Sequence, residues 1–594
     1  MSRHLGRGRV AAVAMILALA LLPWLPINAF WITQLNFIGV AALVVLGLVL
    51  LTGVAGLTSF GQAAFVGIGA YATGYLCVIQ HLSPWLGLLA GLGITVVFAG
   101  VLGLLTLNLS GHFLPLGTIA WGVAVYFVFG NMQALGKYDG LVGLPAISLT
   151  GFQLDTGRSF HYFLWAVVIA AALALSRLLD SRTGRALRAL KDGTAMPEAM
   201  GINTFHYKLV AFLIAALLAC VAGWLLAHYQ RTVDPSVSSL RASINYLFMA
   251  VVGGVGYIGG AFAGAATTQI LDDRLQVWLP HLIGSDGHYE GIVFGLLLVL
   301  LLQRANRGLF GLFDGWGARR PRDVEPERLP RSQRAPSAGP LLRVRGLRKQ
   351  FGGLLAVDGV DFDVAAGEIV GLIGPNGAGK STTFNLITGA LPPSGGTVTF
   401  NGQPVAGWSA RAIARAGLAR TFQHVRMVPE MSVLENVALG AHRRGRAGVL
   451  AAVLGLDQRE ERALLSEAAA HLARVGLADQ MHEPAGNLSL GSQRLLEIAR
   501  ALCTDPSLLL LDEPAAGLRH AEKLALADVL RELRAQGIAI LLVEHDMDLV
   551  MNVTGRIVVM EFGRLLMTGT PREVQASPAV RAAYLGSEAE GVSP

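Results

Sequence analysis

Residues Gly374 to Ser381 read GPNGAGKS, with the spacing G-x-x-x-x-G-K-[ST]. The apolar run Glu368-Ile369-Val370-Gly371-Leu372-Ile373 precedes the octet, and Thr382 to Ile387 follow it. That order predicts a buried strand, a glycine-rich turn and a helix. In such a turn the glycines let backbone N–H groups close around phosphates, and the helix start adds its dipole. The phosphate-contacting stretch is then Gly374, Pro375, Asn376, Gly377, Ala378, Gly379, Lys380, Ser381 and Thr382. Lys380 is placed for the β- and γ-phosphates and Ser381 for Mg2+.

Two further strands end in charge. Leu508 to Leu511 is an apolar run closing on Asp512-Glu513-Pro514, and Ile538 to Val543 closes on Glu544-His545-Asp546. An apolar strand holds an acidic pair rigidly at a sheet's end. Asp512 is placed to organise Mg2+, and Glu513 to polarise a water for attack on the γ-phosphate. His545 is placed to contact that phosphate and sense its loss.

Upstream the composition changes. The chain has 594 residues, 53% of them hydrophobic, too long and too apolar for one ordinary soluble domain. Apolar runs near 10–29, 35–55, 60–80, 84–108, 112–132, 160–180, 208–230, 243–271 and 289–303 predict eight to ten membrane spans. The first continues through Pro23 and Pro26 without a small-residue cleavage site, so it reads as a retained span. Arg and Lys cluster beside the runs (Arg3, Arg7, Arg9, Arg182, Arg185, Arg188, Lys191, Arg304, Arg307), which places the N-terminus, the 181–208 loop and the region after Arg304 in the cytoplasm. Parity then requires 243–271 to return to its starting side. Its Gly253–Gly260 cluster either breaks a helix in two or packs helices closely. The net charge of +7 is accounted for by these flanks, and no basic–aromatic module implies nucleic acid. Cys77, Cys220 and Cys503 match no metal spacing. The expected organisation is a transmembrane α-helical domain over 1–310, which the resemblance given below makes a permease, a linker over 311–340 and an α/β P-loop ATP-binding domain over 341–594.

The soluble part resembles the ATP-binding-cassette (ABC) ATPase family over 341–594. The resemblance implies that Phe351 stacks on adenine. It also implies that Gln423, in Thr421-Phe422-Gln423, is the lid-hinge glutamine, joining Ser381 and Asp512 at Mg2+ and Glu513 and His545 in catalysis. The family's signature LSGGQ falls on Leu488-Ser489-Leu490-Gly491-Ser492, so Ser489, Leu490, Gly491 and Ser492 would face ATP held by another subunit. Leu490 stands where the family has its middle glycine, and Ser492 where it has glutamine. Arg519 stands where Asp or Asn is usual, which leaves hydrolysis at both composite sites of a dimer open.

The membrane part resembles permeases that import branched-chain amino acids. The similarity is carried by Gly61-Gln62-Ala63-Ala64-Phe65, Gly67-Ile68-Gly69-Ala70-Tyr71, Asp139 to Pro145, the Gly253–Gly264 cluster and GRALRAL…EAMGIN from Gly184 to Asn203. It implies a coupling loop at Gly184, Arg185, Arg188, Glu198 and Gly201, with a short helix from Gly184 to Leu190. It places a substrate pathway near Gly61, Gln62, Gly67, Gly69, Gly140, Gly253 and Gly254. In the ATPase half, Met431 to Val437, Glu544 to Met551, Gly569-Thr570-Pro571 and Ala583 to Gly586 resemble the same importers. The implied function is ATP-driven uptake of branched-chain or similar amino acids across a bacterial inner membrane, with the ATPase domain cytoplasmic. A second permease, a second ATPase, a periplasmic solute-binding protein and membrane lipid are the implied partners, and ATP and Mg2+ the cofactors. Urea, short amides or aromatic acids are alternative cargoes. An ABC exporter half-transporter is a further alternative, disfavoured by the glycine-broken spans. A membrane-anchored regulatory ATPase is another, disfavoured by intact Asp512, Glu513 and His545.

Overall fold

The computed structural model describes residues 4–26, 28–107, 113–149, 151–283, 290–304, 308–311, 324–330 and 339–589. The sequence readings at Arg3, at Arg307 and over most of the 311–340 linker lie outside them. The chain forms two units. One comprises Met1–Asp180 and Phe205–Pro321, the other Ser181–Thr204 and Arg322–Pro594. The basic loop interrupting the helical unit in sequence thus belongs to the second unit in space.

In the helical unit, six described helices are long and apolar enough to cross a bilayer: Ala29–Val54, Gln62–Ile79, Pro84–Thr106, Phe113–Asn131, Gly157–Leu179 and Thr204–Gln230. A seventh element, Leu240–Gly253 with Ile258–Trp278, is bent by 118°. Among the described residues the count is six, or seven with the bent element, against the eight to ten expected. Two further apolar helices, Val13–Trp24 and the 15-residue Glu290–Arg304, are shorter within the described residues. The bend has a backbone cause: Gly254 sits at φ 109°, ψ 100°, where a side chain is strained. The same glycines also pack closely, since a Cβ on Gly253 would stand 1.8 Å from the Gly260 carbonyl oxygen. Breaking and close packing, alternatives in the sequence, both hold.

Two spans end in π-helical turns, Val49–Val54 and Tyr75–Ile79, and between the first and the helix at Gln62 the chain is unwound over 55–61.

In the soluble unit a six-stranded sheet has the order Leu418–Arg420, Leu508–Asp512, Ala539–Val543, Ile369–Ile373, Arg556–Glu561, Arg564–Gly569. All neighbours are parallel except the last pair. Ile369–Ile373, Leu508–Asp512 and Ala539–Val543 are buried along their whole length, which is why they read as unbroken apolar runs. A four-stranded antiparallel sheet (Leu342–Phe351, Leu354–Val364, Gly395–Phe400, Gln403–Pro404) covers one side. On the other side lie the helices Val433–Ala438, Gln458–Arg474 and Leu490–Leu502.

Candidate active site

Three parallel strands deliver the site. Ile369–Ile373 runs into the GPNGAGKS turn, and the helix Lys380–Ile387 follows directly. Gly374, Gly377 and Gly379 all have positive φ (153°, 81° and 93°). A Cβ on Gly374 would stand 2.1 Å from the Met560 carbonyl oxygen, and one on Gly379 2.5 Å from that of Ala356, so a side chain would break the turn at either place. Lys380 folds back over its own loop, donating from Nζ to the carbonyls of Gly374 (2.7 Å) and Pro375 (2.9 Å). Burial lowers its pKa, while Glu513 and Asp512 oppose the shift. Pro375, Asn376 and Ala378 complete the turn, and Ser381 and Thr382 occupy the first turn of the helix. Phe351 ends its strand half-exposed, with Lys349 Nζ 5.1 Å above its ring.

The neighbouring strand brings Asp512 and Glu513. Asp512 is buried and its Oδ1 has no hydrogen-bond partner among the described residues. Burial pushes its carboxyl up to about 6, with Arg420 opposing and Glu513 adding repulsion. An orphaned, buried carboxylate oxygen beside a phosphate cradle fits a cation, so the donor set is suited to Mg2+. Glu513 sits at φ 49°, unusual for a non-glycine residue, and its N–H is tied to the Val543 carbonyl at 2.8 Å. From there its Oε2 accepts from Gln423 Nε2 at 3.4 Å and lies 3.9 Å from His545 Nδ1. The fold therefore converges three residues read separately in the sequence, Gln423, Glu513 and His545. The His545 ring is 65% exposed, free to meet a ligand from solvent.

Glu544 is a residue whose role the sequence reading missed. It is 1% exposed. One carboxylate oxygen accepts from Ala515 N–H at 2.7 Å, the other from His545 N–H at 2.9 Å and Asp546 N–H at 3.1 Å. It thereby clamps the loop after Glu513 to the strand end carrying His545. An acid closing an apolar strand was the available signal. Arg494 and Glu497 were missed as well. Arg494 donates to the carbonyls of Phe422 (2.8 Å) and Gln423 (2.5 Å), and Glu497 accepts from Arg426 N–H at 3.0 Å. Both lie on the helix Leu490–Leu502, so the loop holding Gln423 is fastened to the signature helix.

That helix is capped by Ser489, whose Oγ accepts from Ser492 N–H at 3.2 Å and donates to Ser492 Oγ at 3.1 Å. Gly491 lies against the Glu522 carboxylate, within 3.0 Å of where its Cβ would be. Leu490, half-exposed, folds over Gly517. The two departures from LSGGQ thus have local uses: Ser492 takes part in the cap, and Leu490 covers the turn that leads to Arg519.

The expected coupling residues lie on two short helices, Arg182–Arg188 and Ala195–Ala199, apart from Gly201 in the turn that follows the second. The first starts two residues before the expected Gly184, because Ser181 caps it by accepting from Gly184 N–H at 3.3 Å. Arg185, 2% exposed, makes a two-pronged pair with Glu461, one prong at 3.0 Å. Burial pulls the guanidinium pKa down, and the Glu461 charge and hydrogen bonds outweigh it, so Arg185 stays cationic. Arg188 pairs with Glu435 at 3.2 Å and Lys191 with Glu430 at 3.0 Å. Arg182, read in the sequence only as one of the flanking basic residues, donates to the carbonyls of His442, Gly445 (2.7 Å) and Ala447 (2.6 Å). Glu198 accepts from Thr204 Oγ1 at 2.9 Å, and Gly201 (φ 77°) lies under Arg443, which occupies the space a side chain would need.

Among the glycines read as a substrate pathway, Gly69 lies against the Cys220 carbonyl, Gly67 against Ser238 and Phe129, and Gly140 against the Val233 carbonyl. Gln62 is different. It is 1% exposed, opens the helix after the unwound stretch, and neither side-chain polar atom has a hydrogen-bond partner among the described residues.

The arrangement can hold a phosphate chain on the chain's own sheet, and it offers a capped helix end to a second one. It defines the ABC-type ATPase class, here continuous with a helical membrane unit. Family comparison covers both parts: residues 30–302 match the branched-chain amino acid transport system permease component, 357–516 the ABC transporter family, and 564–590 the branched-chain amino acid ATP-binding cassette transporter family. The high-affinity branched-chain amino acid transport ATP-binding protein LivG of Salmonella typhimurium is 46% identical over 250 residues, 42% of this chain and 98% of that protein. BraF of Pseudomonas aeruginosa, described in the same words, is 44% identical over the same shares. Among solved structures, the ADP conformation of an ATP-binding cassette from an ABC transporter is 33% identical, covering 42% of this chain and 100% of that one, with a TM-score of 0.38. The chain belongs to the branched-chain amino acid ABC transporter family, with permease and ATPase in one polypeptide.

Proposed function

We propose that the chain is one half of an importer that couples ATP hydrolysis to uptake of branched-chain amino acids across a bacterial inner membrane, with the ATPase unit cytoplasmic. The observation that carries the reading is the docking of Ser181–Thr204 in the ATPase unit: a segment joined at both ends to the membrane helices is held there by Arg182, Arg185, Arg188 and Lys191. Movement of the cassette is thereby transmitted to the permease.

In this reading the residues of the GPNGAGKS turn bind the ATP phosphates, Phe351 receives the adenine, and Lys380 exchanges its two loop carbonyls for phosphate oxygens. Ser381, Gln423 and Asp512 would hold Mg2+, which when bound neutralises charge on the β- and γ-phosphates. Glu513 orients the attacking water, Gln423 and His545 report on the γ-phosphate, and Glu544 keeps Glu513 and His545 in register. Ser489, Leu490, Gly491 and Ser492 serve the nucleotide of a second ATPase subunit. The full assembly adds a second permease and a periplasmic solute-binding protein.

For the solute, the pathway runs past the unwound stretch at Gly61 and Gln62. A buried amide with both polar atoms unpaired is costly at membrane depth, and polar groups retained there serve transport. Gly253 and Gly254 supply the broken helix beside it, while Gly67, Gly69 and Gly140 keep the surrounding elements close. The test is stimulation of ATP hydrolysis by solute-binding proteins loaded with leucine, urea, a short amide or an aromatic acid. Stimulation by the leucine-loaded protein is expected, and stimulation by another alone reassigns the cargo.

A further inference from the structure

The stretch between the two halves of the sequence reads as a plain linker, yet part of it is bound. Residues 324–330 lie along the helix Gln458–Arg474 of their own unit. Glu327 N–H donates to the Ser466 carbonyl at 3.3 Å, and Ser466 Oγ donates to the Glu325 carbonyl. Leu329 N–H donates to Glu467 Oε2, and the Pro330 carbonyl accepts from Arg444 Nη2 at 2.6 Å. Val324 and Leu329 pack against the core beneath. Backbone groups at four consecutive contact points are thus satisfied by one cassette face, which a passive tether does not require.

Glu467 is the centre of this face. It is buried, and its second oxygen accepts from Arg444 Nη1 at 2.7 Å and His471 Nε2 at 3.1 Å. Arg444 opens the loop whose carbonyls at Gly445 and Ala447 receive Arg182. The other side of that loop is pinned by Glu460, which accepts from Arg446 N–H at 2.8 Å and Ala447 N–H at 3.0 Å. One helix therefore carries, in order, a pin for the Arg182 loop (Glu460), the partner of Arg185 (Glu461) and the seat of the 324–330 segment (Ser466, Glu467).

We propose that residues 324–330 are a docking strap, and that Glu467 is a positioning residue which, through Arg444, fixes the loop that grips Arg182. The occupant of the face is this chain's own segment, covalently continuous with the last membrane helices. The chain then holds its ATPase at two places, the 181–204 segment and the strap, and the second sets the geometry of the first. This rests on the 181–204 segment being the transmission element proposed above.

The experiment uses the full chain in its assembled transporter, in lipid vesicles. Leu329→Pro removes the one backbone N–H that Glu467 accepts and leaves its Arg444 and His471 bonds in place, and thermal unfolding of the variant is measured alongside to show that it folds. Glu467→Ala removes the seat itself. Amide exchange at Arg446 and Ala447 is expected to quicken about tenfold in Leu329→Pro, because one anchor of their loop is gone. L-leucine taken up per ATP hydrolysed is expected to fall about fivefold with hydrolysis itself kept. Glu467→Gln, which still accepts one N–H, is expected between Glu467→Ala and the parent chain. Unchanged exchange in Leu329→Pro overturns the strap. Faster exchange with an unchanged uptake-to-hydrolysis ratio overturns the positioning role. If the parent chain hydrolyses ATP but accumulates no leucine, the importer reading has failed instead, and the exchange arm still decides the strap.

Discussion

Removing the Glu461 carboxylate should uncouple the two activities of this chain. Arg185 and Glu461 are both almost fully buried, and Glu461→Ala leaves a guanidinium without its hydrogen-bonded counter-charge in a desolvated seat, with only the more distant Glu435 opposing. Breaking a buried pair from one side costs about 3–5 kcal/mol, which weakens docking of the 182–188 helix by about 10²–10³·⁵. The other pairs cannot make up that loss. Arg188–Glu435 is part-buried, and Lys191–Glu430 is exposed on both sides, a class worth about 0–1 kcal/mol. Arg182 is held by carbonyls and lies 3.9 Å from its carboxylate, so it survives the substitution. The expected phenotype in reconstituted vesicles is ATP hydrolysis within about twofold of the parent and leucine uptake below about a tenth of it. Glu430→Ala should leave both activities unchanged, and a matched pair of apolar residues at 185 and 461 should restore docking. Parallel loss of hydrolysis and uptake, or no change in their ratio, would refute the reasoning.

Further expectations follow from the same geometry. Glu513→Gln keeps the hydrogen bond to Gln423 but not the charge, so ATP binds and hydrolysis falls by about 10²-fold or more, read as single-turnover phosphate release. Gln62→Leu removes an unpaired buried amide, so the protein should gain about 1–3 kcal/mol in thermal unfolding while leucine uptake falls; a loss of both marks Gln62 as structural only. Asp546 is held below its ordinary value of 3.8, first by the Lys523 hydrogen bond and further by Leu549 N–H. Its contribution is therefore complete above that value and is lost as pH falls through the lower folded-state pKa. Asp546→Asn should flatten the acid limb of a Tm-against-pH profile and leave neutral ATPase activity within about twofold.

Much of the nucleotide site was readable because its parts are local. A glycine turn between a buried strand and a helix, and apolar strands closing on acids, announce themselves within ten residues, and the sheet then brings their ends together. The element at Gly254 was readable only as a choice between breaking and close packing, since a glycine cluster inside an apolar run serves either. What escaped the sequence are pairings across long separations. Arg185 meets Glu461 276 positions away, and Leu329 meets Glu467 138 away. Nothing in a Pro- and Arg-rich stretch signals that its backbone will be bound. Glu544 escaped for another reason: at its strand end only His545 was given a role, and only burial with three N–H donors reveals a clamp.

The central claim is that this one chain converts ATP hydrolysis at Glu513 into solute movement through the docked 181–204 segment. Its most direct test is ATP-dependent accumulation of labelled leucine in vesicles carrying the assembled transporter, compared between the parent chain and Glu513→Gln. The account predicts accumulation with the parent and none with the variant. Equal accumulation by both, or hydrolysis without accumulation by the parent when the loaded binding protein is present, would contradict it.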